Sequence, residues 1–165
     1  MTINLKNLLN PDIKQSRMGD FQELKQIEGL SISAVSADLY NNTGSAGRDD
    51  LCLFYFKDGA KYAALYTKSS IVSESIHWNL KVKNKFIKAL LVNTRNANTF
   101  TGKQGFQGLR ELSKTLSKQL TLKLALAPEG ARDVIDPNEI IFASTGVIGD
   151  VFPTEKIKEQ IPYLV

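Results

Sequence analysis

Two polar strand ends hold the residues best suited to chemistry. In the first, Ile140-Ile141-Phe142-Ala143 runs directly into Ser144-Thr145-Gly146-Val147-Ile148-Gly149. A threonine hydroxyl beside a glycine N–H offers two donors in succession. Aimed at one point, such a pair can stabilise an oxyanion; otherwise Ser-Thr-Gly simply closes a turn. The second strand end is Asn93-Thr94-Arg95-Asn96-Ala97-Asn98-Thr99-Phe100-Thr101-Gly102, a run dense in side chains that bond to backbone. Gly102, Gly105 and Gly108 then step by three into a helical pattern. A glycine-rich entry of this kind can hold an anion at a helix N-terminus, or it can be only the turn into the helix. It is neither a Walker loop nor a dinucleotide fingerprint, because Gln104 follows Lys103 and no two of these glycines are two apart.

The remaining reactive residues form no set. Asp49 and Asp50 are adjacent, and neighbours on a strand point to opposite faces, so they make a poor acid–base pair. Glu74, Glu111 and Glu155 have no partner that spacing identifies. Cys52 is the only cysteine, which excludes an internal disulfide and a cysteine zinc cluster; its apolar run reads as a small buried hydrophobe. His77, the only histidine, lies in Ser-Glu-Ser-Ile-His-Trp and reads as structural or surface rather than half of a Cys–His dyad. No metal or cofactor site is expected. No complete catalytic set is visible from spacing alone.

Several elements must position the two strand ends. Ile140–Ala143 and Phe86–Val92 are short apolar runs that read as buried strands. Leu30–Ala37 and Leu51–Phe56 are further strands. Asp58-Gly59 reads as a hairpin turn into a strand at Tyr62–Tyr66, in an antiparallel pair covered on both faces. Ile71, Val72, Ser75, Ile76, Asn79 and Leu80 suggest a helix within residues 69–84. Phe106, Leu109, Leu112, Leu116 and Leu120 form an apolar stripe, opposite Arg110, Lys114 and Lys118. Pro153 opens a short amphipathic helix carrying Ile157 and Ile161. Turn clusters fall at Asn41–Gly47 and at Ala127-Pro128-Glu129-Gly130. Strands mixed with helices indicate an α/β (α+β) layered domain at 29–165, preceded by a polar arm at 1–28.

The 165 residues suit one domain with a sizeable core. No apolar run reaches the roughly 18 residues a membrane helix needs, and residues 1–6 lack the apolar stretch of a secretory signal. Net charge is +4, with Lys81, Lys83, Lys85 and Lys88 as the densest basic group; this reads as a solvated face rather than a nucleic-acid patch. A lone cysteine and a lone histidine fit a reducing, cytoplasmic setting.

Taken together, the two strand ends resemble the ornithine acetyltransferases, also called glutamate N-acetyltransferases. Asn93-Thr94-Arg95-Asn96-Ala97-Asn98, with Thr101-Gly102 and Gln104-Gly105, is similar to that family's Asn-rich signature. Ser144-Thr145-Gly146-Val147-Ile148-Gly149, with Pro153 and Lys156-Ile157, is similar to a second signature in the same order. The resemblance runs from about Gly29 to the end. It implies a fold like that of the N-terminal-nucleophile hydrolases. It also implies a ping-pong transfer of acetyl from N-acetylornithine to glutamate, without a cofactor, through a threonine freed by self-cleavage into α and β chains. Thr145 (hydroxyl) and Gly146 (N–H) would be the oxyanion hole.

The departures are as informative. The nucleophilic threonine belongs to a later Lys-Gly…Thr segment that these residues do not contain. The chain therefore resembles an N-terminal, α-chain portion, incomplete at its C-terminus and inactive without a β chain in an α2β2 assembly. Arg95 stands where the family has glycine; a positive φ there would make arginine costly. Asp150 stands where Glu is common, and Thr99-Phe100 also departs. Two other readings stay open: a subunit of an N-terminal-nucleophile aminopeptidase or amidase, and a non-catalytic domain holding an anion at Gly102–Gly108.

Overall fold

The computed structural model describes residues 26–39, 48–82, 86–126 and 134–165. Nearly all of the polar arm, the Asn41–Gly47 cluster, Lys83, Lys85 and the break at Ala127–Gly130 lie outside the described residues. The elements run β1 (Leu30–Val35), β2 (Leu51–Lys61), α1 (Glu74–Lys81), β3 (Phe86–Asn93), α2 (Gly102–Leu126), β4 (Ile140–Ser144) and α3 (Thr154–Leu164). A 3-10 turn at Pro137–Glu139, closed by an Asp136–Glu139 capping box, leads into β4. The strands form one sheet in the order β1-β2-β3-β4. The first two pairings are antiparallel and β3–β4 is parallel, with α2 as the crossover. The mixed α+β expectation holds.

Alternation along the strands makes one face of the sheet. Leu51, Leu53 and Tyr55 of β2, Ala89 and Leu91 of β3, and Ile140 and Phe142 of β4 are buried in one core. The α2 stripe meets them with Leu109, Leu112, Leu116 and Leu120, and α3 adds Ile157, Ile161 and Leu164. Each such leucine stabilises the fold by about 1.5–3 kcal/mol through burial. Two serines share the buried side of α2; Ser113 Oγ and Ser117 Oγ donate back to the carbonyls of Arg110 and Lys114, so neither hydroxyl is left dry.

All three helices enter this one core, so the sheet is covered on one face only among the described residues. The opposite face is also apolar. Ile32, Phe54 and Leu90 stand side by side across three strands, as do Ala34, Cys52 and Val92, and each remains partly or largely exposed. The expectation of two covered faces is thus corrected.

The Asp58-Gly59 hairpin is corrected too. Beta strand β2 runs straight through these residues to Lys61, and residues 62–69 have no regular structure. Gly59 takes φ +76°, which lets the chain bulge outward between the Tyr55–Ala89 and Ala60–Ile87 pairs. A primed hairpin turn and a glycine bulge both use a left-handed residue. Here β3 pairs on both sides of the irregularity, so the bulge wins.

Helix α1 starts later than the apolar spacing suggested. Ser73 caps it, accepting from the Ile76 N–H at 3.4 Å. Its buried residues are Ser75, Trp78 and Asn79, while Ile71 and Leu80 are exposed.

Candidate active site at the tips of β3 and β4

Parallel pairing brings the two polar strand ends together, with Asn93 opposite Ser144. The pairing then continues past the strands. The Thr145 N–H donates to the Asn93 carbonyl (3.1 Å), Val147 to Arg95 (3.0 Å) and Gly149 to Thr99 (2.9 Å), while the Ala97 N–H donates back to Val147 (2.9 Å). The two loops are therefore zipped edge to edge by backbone bonds.

Gly146 makes this approach possible. Its φ is +136°, and a Cβ there would lie 2.1 Å from the Arg95 carbonyl carbon and 2.5 Å from the Asn96 nitrogen. Any side chain would push the loops apart. Arg95 itself has φ +74°, with Asn98 at +49° and Phe100 at +59°. The condition attached to Arg95 is met: an arginine occupies a left-handed position, at about 1–2 kcal/mol of strain.

Buried asparagines hold the loop in this shape. Asn93 Oδ1 accepts from Ser144 Oγ (2.7 Å), and its Nδ2 donates to the Asn96 carbonyl (2.8 Å). Asn96 Oδ1 accepts the Asn98 N–H (2.8 Å), and its Nδ2 reaches the Asp150 and Val151 carbonyls. Asn98, fully buried, accepts from Thr101 Oγ1 at 2.6 Å. The density of such residues predicted side-chain bonding to backbone; Asn93 and Asn96 do this, while Ser144 and Thr101 bond asparagine side chains instead.

Helix α1 supports β4 from the side. Asn79 Nδ2 donates to the Phe142 carbonyl (2.8 Å) and its Oδ1 accepts the Phe142 N–H (3.0 Å). Trp78 Nε1 donates to the Ile140 carbonyl (2.9 Å), and Ser75 Oγ bonds Ser144 Oγ (2.7 Å). The Trp78 ring also meets Phe106 and Phe142, with centroids 5.8 and 5.7 Å away. The spacing that suggested this helix already included Ser75 and Asn79, but it did not reveal this buttress, because periodicity identifies a face and not the strand atoms it bonds. The spacing of these two residues by four on one helix face was the available signal.

At the tip, Thr94, Arg95, Thr145, Gly146 and Val147 line an open cleft of about 550 Å3. Both predicted donors are exposed there. Among the described residues, neither the Thr145 hydroxyl nor the Gly146 N–H has a hydrogen-bond partner. Two adjacent donors held on a rigid ladder, with their bonding capacity unspent, can receive developing negative charge.

The other candidates disperse. Gly105 and Gly108 lie inside α2, where a Cβ would come within 2.1 Å of Thr101 Oγ1 and 2.2 Å of Thr154 Oγ1 respectively. Those glycines admit close packing onto the loop and onto α3. Asp50 is buried and accepts from the Ala37 and Leu39 N–H groups at 2.6 and 2.9 Å, clamping the end of β1. Asp49 is exposed. His77 Nδ1 lies 3.1 Å from Glu74 Oε2 on α1, whereas Cys52 sits on the uncovered sheet face. Cys52 is half-buried rather than fully buried. Burial, and secondarily the Asp49 charge, raise its thiol pKa, the opposite of a nucleophile's need. Glu155 pairs with Lys158 on the surface of α3, and Glu111 is exposed on α2. Among the described residues, no three His, Cys, Asp or Glu side chains gather as metal ligands, and no helix is long and apolar enough to cross a membrane.

Comparison with known proteins agrees with the two-motif resemblance. The chain is 33% identical over 141 residues to the arginine biosynthesis bifunctional protein ArgJ of Gluconobacter oxydans, covering 85% of this chain and 29% of that protein. It is 34% identical over 119 residues to ArgJ of Thermus thermophilus, covering 71% and 28%. The chain thus spans about a third of the length of these relatives. Its fold matches the crystal structure of ArgJ from Bacillus halodurans with a TM-score of 0.69 at 21% identity, over 84% of this chain and 64% of that one. It matches equally an ornithine acetyltransferase of Mycobacterium tuberculosis solved with ornithine, at 22% identity over 83% and 66%. The ArgJ family model matches residues 32–165, which include both strand ends and the ladder between them: the chain belongs to the ArgJ family.

Proposed function

We propose that this chain supplies the oxyanion hole of an ornithine acetyltransferase. The observation that carries the reading is the pair of donors, Thr145 Oγ1–H and Gly146 N–H, unpartnered among the described residues and held at the cleft by the β3–β4 ladder. A threonine hydroxyl on a β chain attacks the acetyl carbonyl carbon of N-acetylornithine. The carbonyl oxygen becomes an oxyanion, and Thr145 and Gly146 donate to it. Collapse breaks the C–N bond, ornithine leaves with the proton, and an acetyl-threonine ester remains. The glutamate amine then attacks that ester through a second oxyanion at the same donors, releasing N-acetylglutamate and the threonine hydroxyl. That the M. tuberculosis relative was solved in complex with ornithine supports this substrate class.

The uncovered sheet face supports the partner. A contiguous surface of Ile32, Phe54, Leu90, Cys52 and Val92 is unusual for a chain that works alone. In this reading it is covered by the β chain in an α2β2 cytoplasmic assembly, and the chain by itself is inactive.

The test is made in the protein assembled with its threonine-bearing chain. Thr145→Ala should preserve the fold and lower the rate of acetyl transfer by about 100- to 1,000-fold. An unchanged rate would remove the oxyanion role. Transfer of the acyl group to water in preference to glutamate would replace the acetyltransferase reading with an amidase.

A further inference from the structure

We propose that Arg95 makes the tip cleft a carboxylate site, in which its guanidinium holds the carboxylate of an amino-acid substrate beside the Thr145 and Gly146 donors. The inference rests on the acyl-transfer reading and names the ligand chemistry that the cleft selects.

Three observations meet at this residue. Arg95 lines the cleft together with Thr94, Thr145, Gly146 and Val147. Its backbone is held at φ +74° by two constraints: its carbonyl accepts the Val147 N–H, and its carbonyl carbon lies against Gly146. A side chain kept at a strained, glycine-favouring position is the kind of outlier that accompanies function. Finally, among the described residues the Arg95 guanidinium has neither an ion pair nor a hydrogen bond. Arg110, by contrast, lies on the exposed side of α2, away from this cleft.

The chemistry follows from the donor set. Thr145 and Gly146 present neutral donors suited to one oxygen. A guanidinium presents a planar fork matched to two oxygens of one carboxylate. An amino acid bearing an acyl group, or accepting one, has a carboxylate a few bonds from its reacting centre. The cleft can therefore hold the carboxylate at Arg95 while the reacting carbonyl oxygen faces the donors. A lysine would provide the charge without the fork.

The experiment is arginine modification by phenylglyoxal, mapped by mass spectrometry, on the 165-residue chain. L-glutamate is compared with chloride at matched ionic strength. With glutamate at about ten times its dissociation constant, mass action predicts about tenfold slower modification of Arg95, with Arg110 unchanged. Equal rates at Arg95 in glutamate and chloride would overturn the proposal. As a second measurement, glutamate should raise the melting temperature of the wild type, of Arg95→Lys less, and of Arg95→Gly not at all. Arg95→Gly suits the left-handed backbone, so a lost response in that variant is not a folding failure; an undiminished response would overturn the proposal. The two readings fail separately. Loss of acetyl transfer in assembled Thr145→Ala, with no protection of Arg95, removes Arg95 alone. Protection of Arg95 with an unchanged rate in Thr145→Ala removes the oxyanion hole alone.

Discussion

The covered face of the sheet and its polar tip are built on different principles. Under the helices, Leu53, Leu91, Leu109, Leu112, Leu116 and Ile140 fill one another's space without direction, and shape is all that each requires. At the tip, Asn93, Asn96, Asn98 and Ser144 each meet a particular atom at a particular distance. The first region supplies stability and the second supplies position. Catalysis by fixed donors needs the second, because donors that must reorganise lose most of their advantage.

This contrast can be broken at either end. The largest expected loss is in the core: Leu112→Ala should destabilise the chain by about 2–5 kcal/mol in urea unfolding, as a cavity opens beneath α2. A loss below 1 kcal/mol would mean that α2 is not seated as described. At the tip, Asn79→Leu leaves the Phe142 N–H and carbonyl without their partners and should cost about 1–3 kcal/mol. Its signature is local: amide exchange should quicken at Phe142 to Val147 and stay unchanged at Leu116 and Leu120. Uniform quickening would show that Asn79 supports the whole fold rather than the tip. Arg95→Gly runs the other way. Relieving a left-handed arginine should stabilise the chain by about 1 kcal/mol, read as a higher melting temperature.

The smallest effect probes the other face. The folded Cys52 thiol holds its proton more tightly than the unfolded one, through burial first and the Asp49 charge second. The stability this adds is complete below the unfolded pKa and is lost as pH rises through the folded pKa. Iodoacetamide should therefore label the folded chain only at higher pH than the urea-unfolded chain. If this face is covered by the proposed partner, labelling should slow further on assembly. Coincident pH profiles for folded and unfolded chain would contradict the shift.

Much of the core region was legible, because it is written in repeats. The Leu109 to Leu120 stripe and the apolar runs at Phe86 and Ile140 each repeat one kind of residue at one period. The tip was legible as composition but not as geometry. Asn-rich and Ser-Thr-Gly segments announced local hydrogen bonding, yet their mutual zipper depends on parallel pairing across about fifty residues. Asp58-Gly59 misled for a related reason. Two residues declare a left-handed backbone, and only the neighbouring strand decides whether it becomes a turn or a bulge. Arg95 is the reverse case: its residue type does not announce a left-handed backbone, and only the glycine that stands there in the resembled family hinted at it.

The hold of α1 on β4 reaches beyond the site. An edge strand normally offers its free amides and carbonyls to any passing strand. Here Trp78 and Asn79 already occupy the Ile140 carbonyl and both backbone groups of Phe142. The sheet is therefore closed to growth on that side. Among the described residues the edge left open is β1, so a strand added from a neighbouring polypeptide or an aggregating copy would extend the sheet there rather than at β4.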